Sequence, residues 1–308
     1  MTMIMAFHLQ AHAQQAWPQQ PIHIVVPFSA GGPTDSLARY LADRLRQELK
    51  APIVVENKAG AGGLIGAQQV VRSKPDGYTF LIGSADLFAR TTPLAAAEYD
   101  PLRDLAVVAK LTDSNAVLAA SPQLGIKSIG ELKNAAKTPD AVKCGSGGIA
   151  TIGHYLCAFI ARQLGVKFLH VPFKGMSDVS VALISGTIDV SVSPSFIPHA
   201  KVGKVVPLLA GTDKRLADLP NLPTFKEAGI DLRQVPTWFG MAAPAGTPAE
   251  ITGRMSAALQ KIIAEPRTNE VLEPFGQYGD FADTASFTRE NRQARDNLIL
   301  MEQIAEVR

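Results

Sequence analysis

The chain has 308 residues, 46% of them hydrophobic and 21 of them proline, a globular composition that suits one large or two medium domains rather than one small core. Its 30 Lys and Arg against 28 Asp and Glu leave a net charge of +2, with no long basic block, so nucleic acid is not an expected partner. No apolar run approaches the roughly 18 to 20 residues needed to span a bilayer, and the chain is not expected to be membrane-spanning.

At the start, MTMIMAFHLQ is a short apolar stretch followed by AHA at 11–13, a small-x-small pattern like a signal-peptidase site, although it lacks a positive n-region. Residues 1–13 therefore read as the remnant of an export signal, with the mature chain starting near Gln14. Next come a strand in IHIVV, the glycine-rich turn PFSAGGPTD at 27–35 and a helix in SLARYLADRLRQEL. Such a turn aims backbone N–H groups and the positive end of a helix dipole at one spot, which is how proteins hold anions. Pro33 fits the first helical position with Gly32 as cap. Asp35 would repel an anion, so its expected task is to bond the N–H groups at the helix start.

The strand PIVVEN leads into AGAGGLIGA at 59–67. Its GxGxxxG spacing is not the dinucleotide fingerprint, so it reads as a tight turn opening the helix LIGAQQVVRS. YTFLIGS is a strand followed by a loop. This βαβα rhythm predicts a mainly parallel sheet with helices on both faces.

After KLTDSNAVLAASP the rhythm restarts, with SIGELKNAAK a helix, AVKCG a strand, TIGHYLCAFIARQLG a helix, KFLHVPF a strand, VSVALISG a helix, and IDVSVS and VVPLLAGT strands. KCGSGGIAT repeats the opening motif in character: Gly145, Ser146, Gly147 and Gly148 form the turn, and Thr151 opens the helix. If both turns face a cleft, a small anion is pinched between two donor-rich lips. His154, one turn into its helix, either reaches the ligand or packs as a satisfied histidine. Cys144 and Cys157 match neither a zinc set nor a CxxC pair; in an exported chain the two could pair, but with Cys157 in the second turn of a helix and Cys144 at a strand end, two buried free thiols are the expected state. The end of the chain shows helices in PAEITGRMSAALQKIIAEP and ASFTRENRQARDNLILMEQIA without new strands, so the chain returns to cover the first unit. Two crossings follow, near 112–120 and 233–241, and two crossings make a hinge with a cleft.

Catalytic motifs are sparse. No GxxxxGK[ST] loop occurs, Ser146 lacks the glycine of GxSxG where Cys144 stands, and His23, His170 and His199 show no metal spacing. No cofactor is expected. A hydrolase or lyase acting on a small acid in the same cleft is the rival reading.

With WPQQPIHIVVPFSAGGPTDSLAR, VVENKAGAGGLIGA, KPDGYTFLIG, YDPLRDLAVVAKL, HVPFKG, LADLPNLPTFKEAGI and TWFGMAAPAGTP in this order, the chain resembles the Bug family, the periplasmic solute-binding proteins of tripartite tricarboxylate transporters. The resemblance implies a type II periplasmic-binding-protein fold, α/β, with two lobes joined by two crossover strands around a ligand cleft. Lobe 1 is expected over 14–116 plus 237–308 and lobe 2 over 117–236. It implies a monomer that captures a small organic carboxylate, mono- or dicarboxylate and aliphatic or aromatic, by hinge closure and hands it to membrane permease subunits. A ligand-sensing module for a membrane receptor would share the same site.

By the same resemblance, the carboxylate is held by Phe28, Ser29, Ala30, Gly31, Gly32, Thr34 and Asp35 on one lip. Ser146, Gly147, Gly148, Ile149, Ala150 and Thr151 form the other, with His154 behind. Pro33 removes one donor. Ser193 and Ser195 stand where some relatives present an acid or amide to the ligand's far end, so an α-ammonium would lack a counter-charge and amino acids are disfavoured. Ser84, the loop through Asp86, Leu87, Phe88 and Arg90, and the aromatics Phe173, Phe196 and Trp238 are further candidates for the far end. Arg90 either clamps a second carboxylate or is a solvated surface arginine.

Overall fold

The computed structural model of the chain describes residues 17–90, 99–212, 214–230 and 237–305. The export-signal remnant expected at 1–13 and part of the second crossing lie outside them. The strands, in chain order, are β1 (Ile22–Val26), β2 (Ile53–Asn57), β3 (Thr79–Ser84), β4 (Leu105–Ser114), β5 (Val117–Ala120), β6 (Lys143–Ser146), β7 (Leu169–Pro172), β8 (Val190–Ser193), β9 (Val206–Ala210), β10 (Phe239–Pro244) and β11 (Gln277–Ala282). They form two sheets, ordered β11-β4-β10-β3-β1-β2 and β7-β6-β8-β5-β9.

The continuous apolar run of β1 reflects burial on both faces, as expected for a central strand covered by helices on each side. Ile22, Ile24 and Val26 pack with Leu37, Leu41 and Leu45, spaced four apart on the Pro33–Leu49 helix. Val25 points the other way, into a core with Ala67, Val70 and Leu81. In the second sheet β5 is shared likewise: Val117 and Ala119 meet Val179 and Leu183, whereas Leu118 and Ala120 meet the core that includes Tyr155 and Ile160.

The sheets are mixed rather than mainly parallel. β1 pairs in parallel with β2 and β3, and β6 with β7 and β8. β10 runs antiparallel between β3 and β4, β11 adds antiparallel to β4, and β5 runs antiparallel between β8 and β9. The cause is the crossing itself: a strand that returns from the other lobe enters its sheet from the opposite end. QYGDFA, read over in the sequence because its glycine and acid break the apolar pattern, is the edge strand β11, so the end of the chain does add a strand. The segment after β3, expected as a loop, begins with the short helix Ala85–Phe88.

The two crossings meet at one place. β4 leaves the first sheet at Ser114 and β5 enters the second at Val117. Ser114 Oγ donates to the Thr237 carbonyl at 2.6 Å, Thr237 Oγ1 bonds the Asp113 carboxylate, and Gly211 N donates to the Ala116 carbonyl at 2.7 Å. Behind this hinge, Trp238 packs edge-on against Phe287, centroids 4.8 Å apart, and tilted against Phe88. The Thr284–Ala305 helix touches both units: Asn291 Nδ2 donates to the Phe88 carbonyl, and Tyr155 Oη on the second donates to Glu302 Oε1 at 2.9 Å.

Cys144 and Cys157 form a disulfide, not two free thiols. Cys144 lies on β6 and Cys157 in the second turn of the Ile152–Leu164 helix, which folds straight back over its own strand and brings the two Cα atoms to 6.0 Å, within bridging range. Closing a loop of this length constrains the unfolded chain by about 3 kcal/mol. Reduction is therefore expected to lower the unfolding free energy by about 2 to 3 kcal/mol, read as a shift of the urea midpoint with and without reductant; an unchanged midpoint would contradict the cross-link.

Candidate functional site

A cavity of about 100 Å³ lies between the two sheets. On the scale where one water takes about 10 to 15 Å³, it holds roughly seven to ten water-sized groups, the size of a small organic acid. Its entrance is built from helix starts. Gly32, Pro33 and Thr34 open the Pro33–Leu49 helix; Thr151, Ile152 and Gly153 open the Ile152–Leu164 helix; Met176 opens the Met176–Ile184 helix; all of these line the cavity. None of the three helices has a side-chain cap, so their first N–H groups, and the positive dipole ends with them, are left for a ligand. Pro33 occupies N1 with Gly32 as N-cap, as its sequence position implied.

The third helix start was missed in the sequence, although the signal was present: Gly175 follows the strand of HVPFKG and begins a third strand–glycine–helix unit. The lobes meet along this rim. Ser29 Oγ donates to Asp178 Oδ2 at 2.9 Å, and Ser29 N to the Lys174 carbonyl at 3.4 Å. Below them the backbones touch, because a Cβ on Gly62 would sit 2.3 Å from the Ile149 carbonyl oxygen and one on Gly148 would sit 2.8 Å from Gly62 Cα. Arg90 spans the same seam. It is buried, not solvated, and its Nη2 donates to the carbonyls of Gly62 at 3.1 Å and Ala150 at 3.2 Å.

Of the residues singled out in the sequence, Phe28, Ser29, Gly32, Thr34, Asp35, Ser84, Gly147, Thr151 and Ser193 line the cavity. Ala30, Gly31, Ser146, Gly148, Ile149, Ala150, His154 and Ser195 stand outside the lining. Ser195 Oγ pairs with Ser193 Oγ at 2.8 Å, so it acts on the cavity through its neighbour. Phe196 is fully buried in the second lobe's core, and neither it, Phe173 nor Trp238 reaches the cavity wall. Ser114, Ala116, Thr237 and Phe239, which fall within the two crossings read near 112–120 and 233–241 but were not singled out as ligand contacts, form the floor at the hinge.

Asp35 does not bond its helix's own first amides. It accepts from Gly31 N at 2.9 Å, Arg39 Nε at 2.9 Å and Asn57 Nδ2 at 2.9 Å, which fixes the turn. Burial pushes its carboxyl up, but the bonds from Arg39, Gly31 and Asn57 outweigh that and hold it below the usual range. Asp86 differs: burial pushes its carboxyl up, and neither the Arg90 charge nor the Ser84 hydroxyl cancels the effect.

Behind the second lip, His154 packs. Its Nδ1 accepts from Ala150 N at 3.1 Å and its ring stacks on His170 with centroids 3.7 Å apart. His170 Nε2 lies 2.7 Å from Ser146 Oγ. That hydroxyl also lies 2.9 Å from the Gly148 carbonyl, and if its one proton goes there the imidazole N–H is the donor to it. A serine that accepts from its histidine is not being activated as a nucleophile, and Ser146 is fully buried.

The chain matches the family described as "Tripartite tricarboxylate transporter family receptor" over residues 37–304. It belongs to that family. A protein from Cupriavidus necator, "UPF0065 protein in gbd 5'region", is 34% identical over 288 residues, covering 90% of this chain and 87% of the relative. Among solved structures, the periplasmic binding protein BugD superposes with a TM-score of 0.88 at 30% identity, covering 94% of this chain and 99% of its own. R. palustris Rpa4515 with adipate superposes at 0.86 and 28% identity, covering 95% and 99%. The family is that of Bug-type solute-binding proteins, and the protein is a binding protein, not an enzyme, with the periplasmic-binding-protein fold of these relatives. Among the described residues no helix is long and apolar enough to cross a membrane.

Two outcomes follow from the seam and the lip. Gly62→Ala, which puts a methyl where the Ile149 carbonyl lies and at a φ of +59°, is expected to weaken ligand binding at least about tenfold in calorimetry; the left-handed backbone itself costs only about 1 kcal/mol of stability. Undiminished affinity would mean that this seam does not form in the bound state. His170, held down to about 4 by burial and then by His154, binds its proton later than in the unfolded chain. Its contribution is thus intact above about pH 6.5 and lost as pH falls from there toward 4. Melting curves of His170→Gln should show a shallower acid-side decline than the parent, and identical slopes would refute the buried neutral state.

Proposed function

We propose that the protein captures a small organic carboxylate between its two lobes and delivers it from the periplasm to the membrane subunits of a tripartite tricarboxylate transporter. The observation that carries this reading is the convergence of three helix starts without side-chain caps on one cavity of acid size. On this reading Ser29, Gly32 and Thr34 on one lip and Gly147, Thr151 and Ile152 on the other hold the carboxylate. Phe28, Gly31, Ser146, Gly148 and Ala150 shape the lips, and Ser84 and Ser193 face the remainder of the ligand. The lobes divide near residues 116 and 237, the protein acts as a monomer, and closure follows ligand entry. A relative holding adipate supports the ligand class, and the disulfide fits an oxidising compartment.

Each helix end stabilises an exposed anion by about 0.3 to 1 kcal/mol, and by more once closure excludes water. The test is a thermal shift of the purified protein against carboxylates and their matched neutral amides. A carboxylate at a hundredfold excess over its Kd is expected to add about 2.7 kcal/mol of stability, a rise of several degrees in Tm, while the amides leave it unmoved. Equal stabilisation by the amides would overturn the anion reading.

A further inference from the structure

Asp86 has no place in the carboxylate-holding lips, yet it lines the cavity at 1% exposure. Ser84 Oγ donates to its Oδ1 at 2.7 Å and the Ile152 N–H at the start of the second lip's helix faces the carboxyl, while Oδ2 is buried without a well-formed hydrogen bond among the described residues. An unpartnered carboxylate oxygen in a dry site is costly unless something else supplies the donor. The other lining acid, Asp35, already has Arg39, Asn57 and Gly31. Among the described residues no Lys, Arg or His lines the cavity, and Arg90, the cation nearest in effect to Asp86, donates to the Gly62 and Ala150 carbonyls instead.

The geometry points to Asp86 as the residue that selects the ligand's second polar group: its open oxygen accepts from an ammonium or hydroxyl carried by a monocarboxylate and disfavours a second carboxylate. This rests on the carboxylate reading above and narrows it. A dianion would place a second negative charge in a cavity whose ionisable walls, among the described residues, are acids, whereas the helix starts can balance roughly one charge. An ammonium gives Asp86 the counter-charge that burial otherwise denies it. The absence of an acid at Ser193 and Ser195, which disfavoured amino acids in the sequence, is thereby made good from the other lobe. Selection of this kind separates the protein from its adipate-bound relative.

The test is isothermal titration of the folded, full-length mature protein and of Asp86→Asn with matched acids on three- to six-carbon skeletons. Each skeleton is presented unsubstituted, with a hydroxyl or ammonium at either the second or the terminal carbon, and as the dicarboxylate. The best amino or hydroxy acid is expected to bind the parent about tenfold or more tightly than the dicarboxylate of the same length, as for a hydrogen bond to a charged group. In Asp86→Asn that margin should shrink to within about threefold, with the dicarboxylate gaining. Dicarboxylates binding the parent as tightly as the amino and hydroxy acids would overturn the assignment, even if the variant fails to fold. An unchanged ranking in a folded variant would overturn it too. Failure of every acid to bind while neutral amides do would sink the carboxylate reading itself, and this one with it.

Discussion

The structure turns on bringing three helix amino ends together without neutralising them from within. The helices opened by Gly32, Thr151 and Gly175 all lack side-chain caps at the cavity, and their partial positive charges repel one another as the lobes approach. Elsewhere in the chain Ser128 caps the Ile129–Ala135 helix and Asp100 caps the Pro101–Asp104 turn, while the Ala249–Ile263 and Pro266–Leu272 helices also start without a side-chain cap, so what sets the three cleft helices apart is their convergence on one cavity. Glycine at two of the three caps leaves the amides uncovered and lets the opposing backbone come close. On the proposed reading an anion between the helix starts offsets their repulsion, which would make ligand capture and closure a single event rather than two.

Affinity and choice are separated in space. On the proposed reading the helix starts hold the carboxylate through backbone groups that carry no information about the rest of the molecule. Beyond them the wall is made of Leu156, Val192 and Phe239 with a few hydroxyls and two acids, and that wall decides which carboxylate remains. Such a division lets relatives on one backbone accept different acids by changing side chains behind an unchanged pair of lips.

What could be read from the sequence was what is local. IHIVV followed by PFSAGGPTD specifies a strand, a turn and a helix by itself, and the same holds for KCGSGGIAT; the two lobes and their crossings followed from counting these units. What could not be read depended on which segments meet. Arg90 looked like a surface cation because nothing near it in sequence announces that Gly62 and Ala150 turn their carbonyls toward it. Asp86 could be read as part of a loop offered to the ligand's far end, but not as a buried acid, because its enclosure depends on β3 and the second lobe. Cys157 and Cys144 looked unpaired because their separation fits no short motif, although a helix doubling back on its own strand brings such positions into register. The edge strand QYGDFA was hidden by Gly279 and Asp280, which an edge tolerates and a central strand would not.

The Cys144–Cys157 bridge encloses the second lip, joining the strand that enters the turn at Ser146 to the helix that leaves it at Thr151. A loop tethered at both shoulders cannot relax independently between binding events, so the donors of this lip are preorganised and little ordering entropy is lost on capture. The oxidation state of two cysteines that touch no ligand thus becomes a term in the binding constant. In a reducing compartment the same sequence would retain its fold and hold its cargo more loosely.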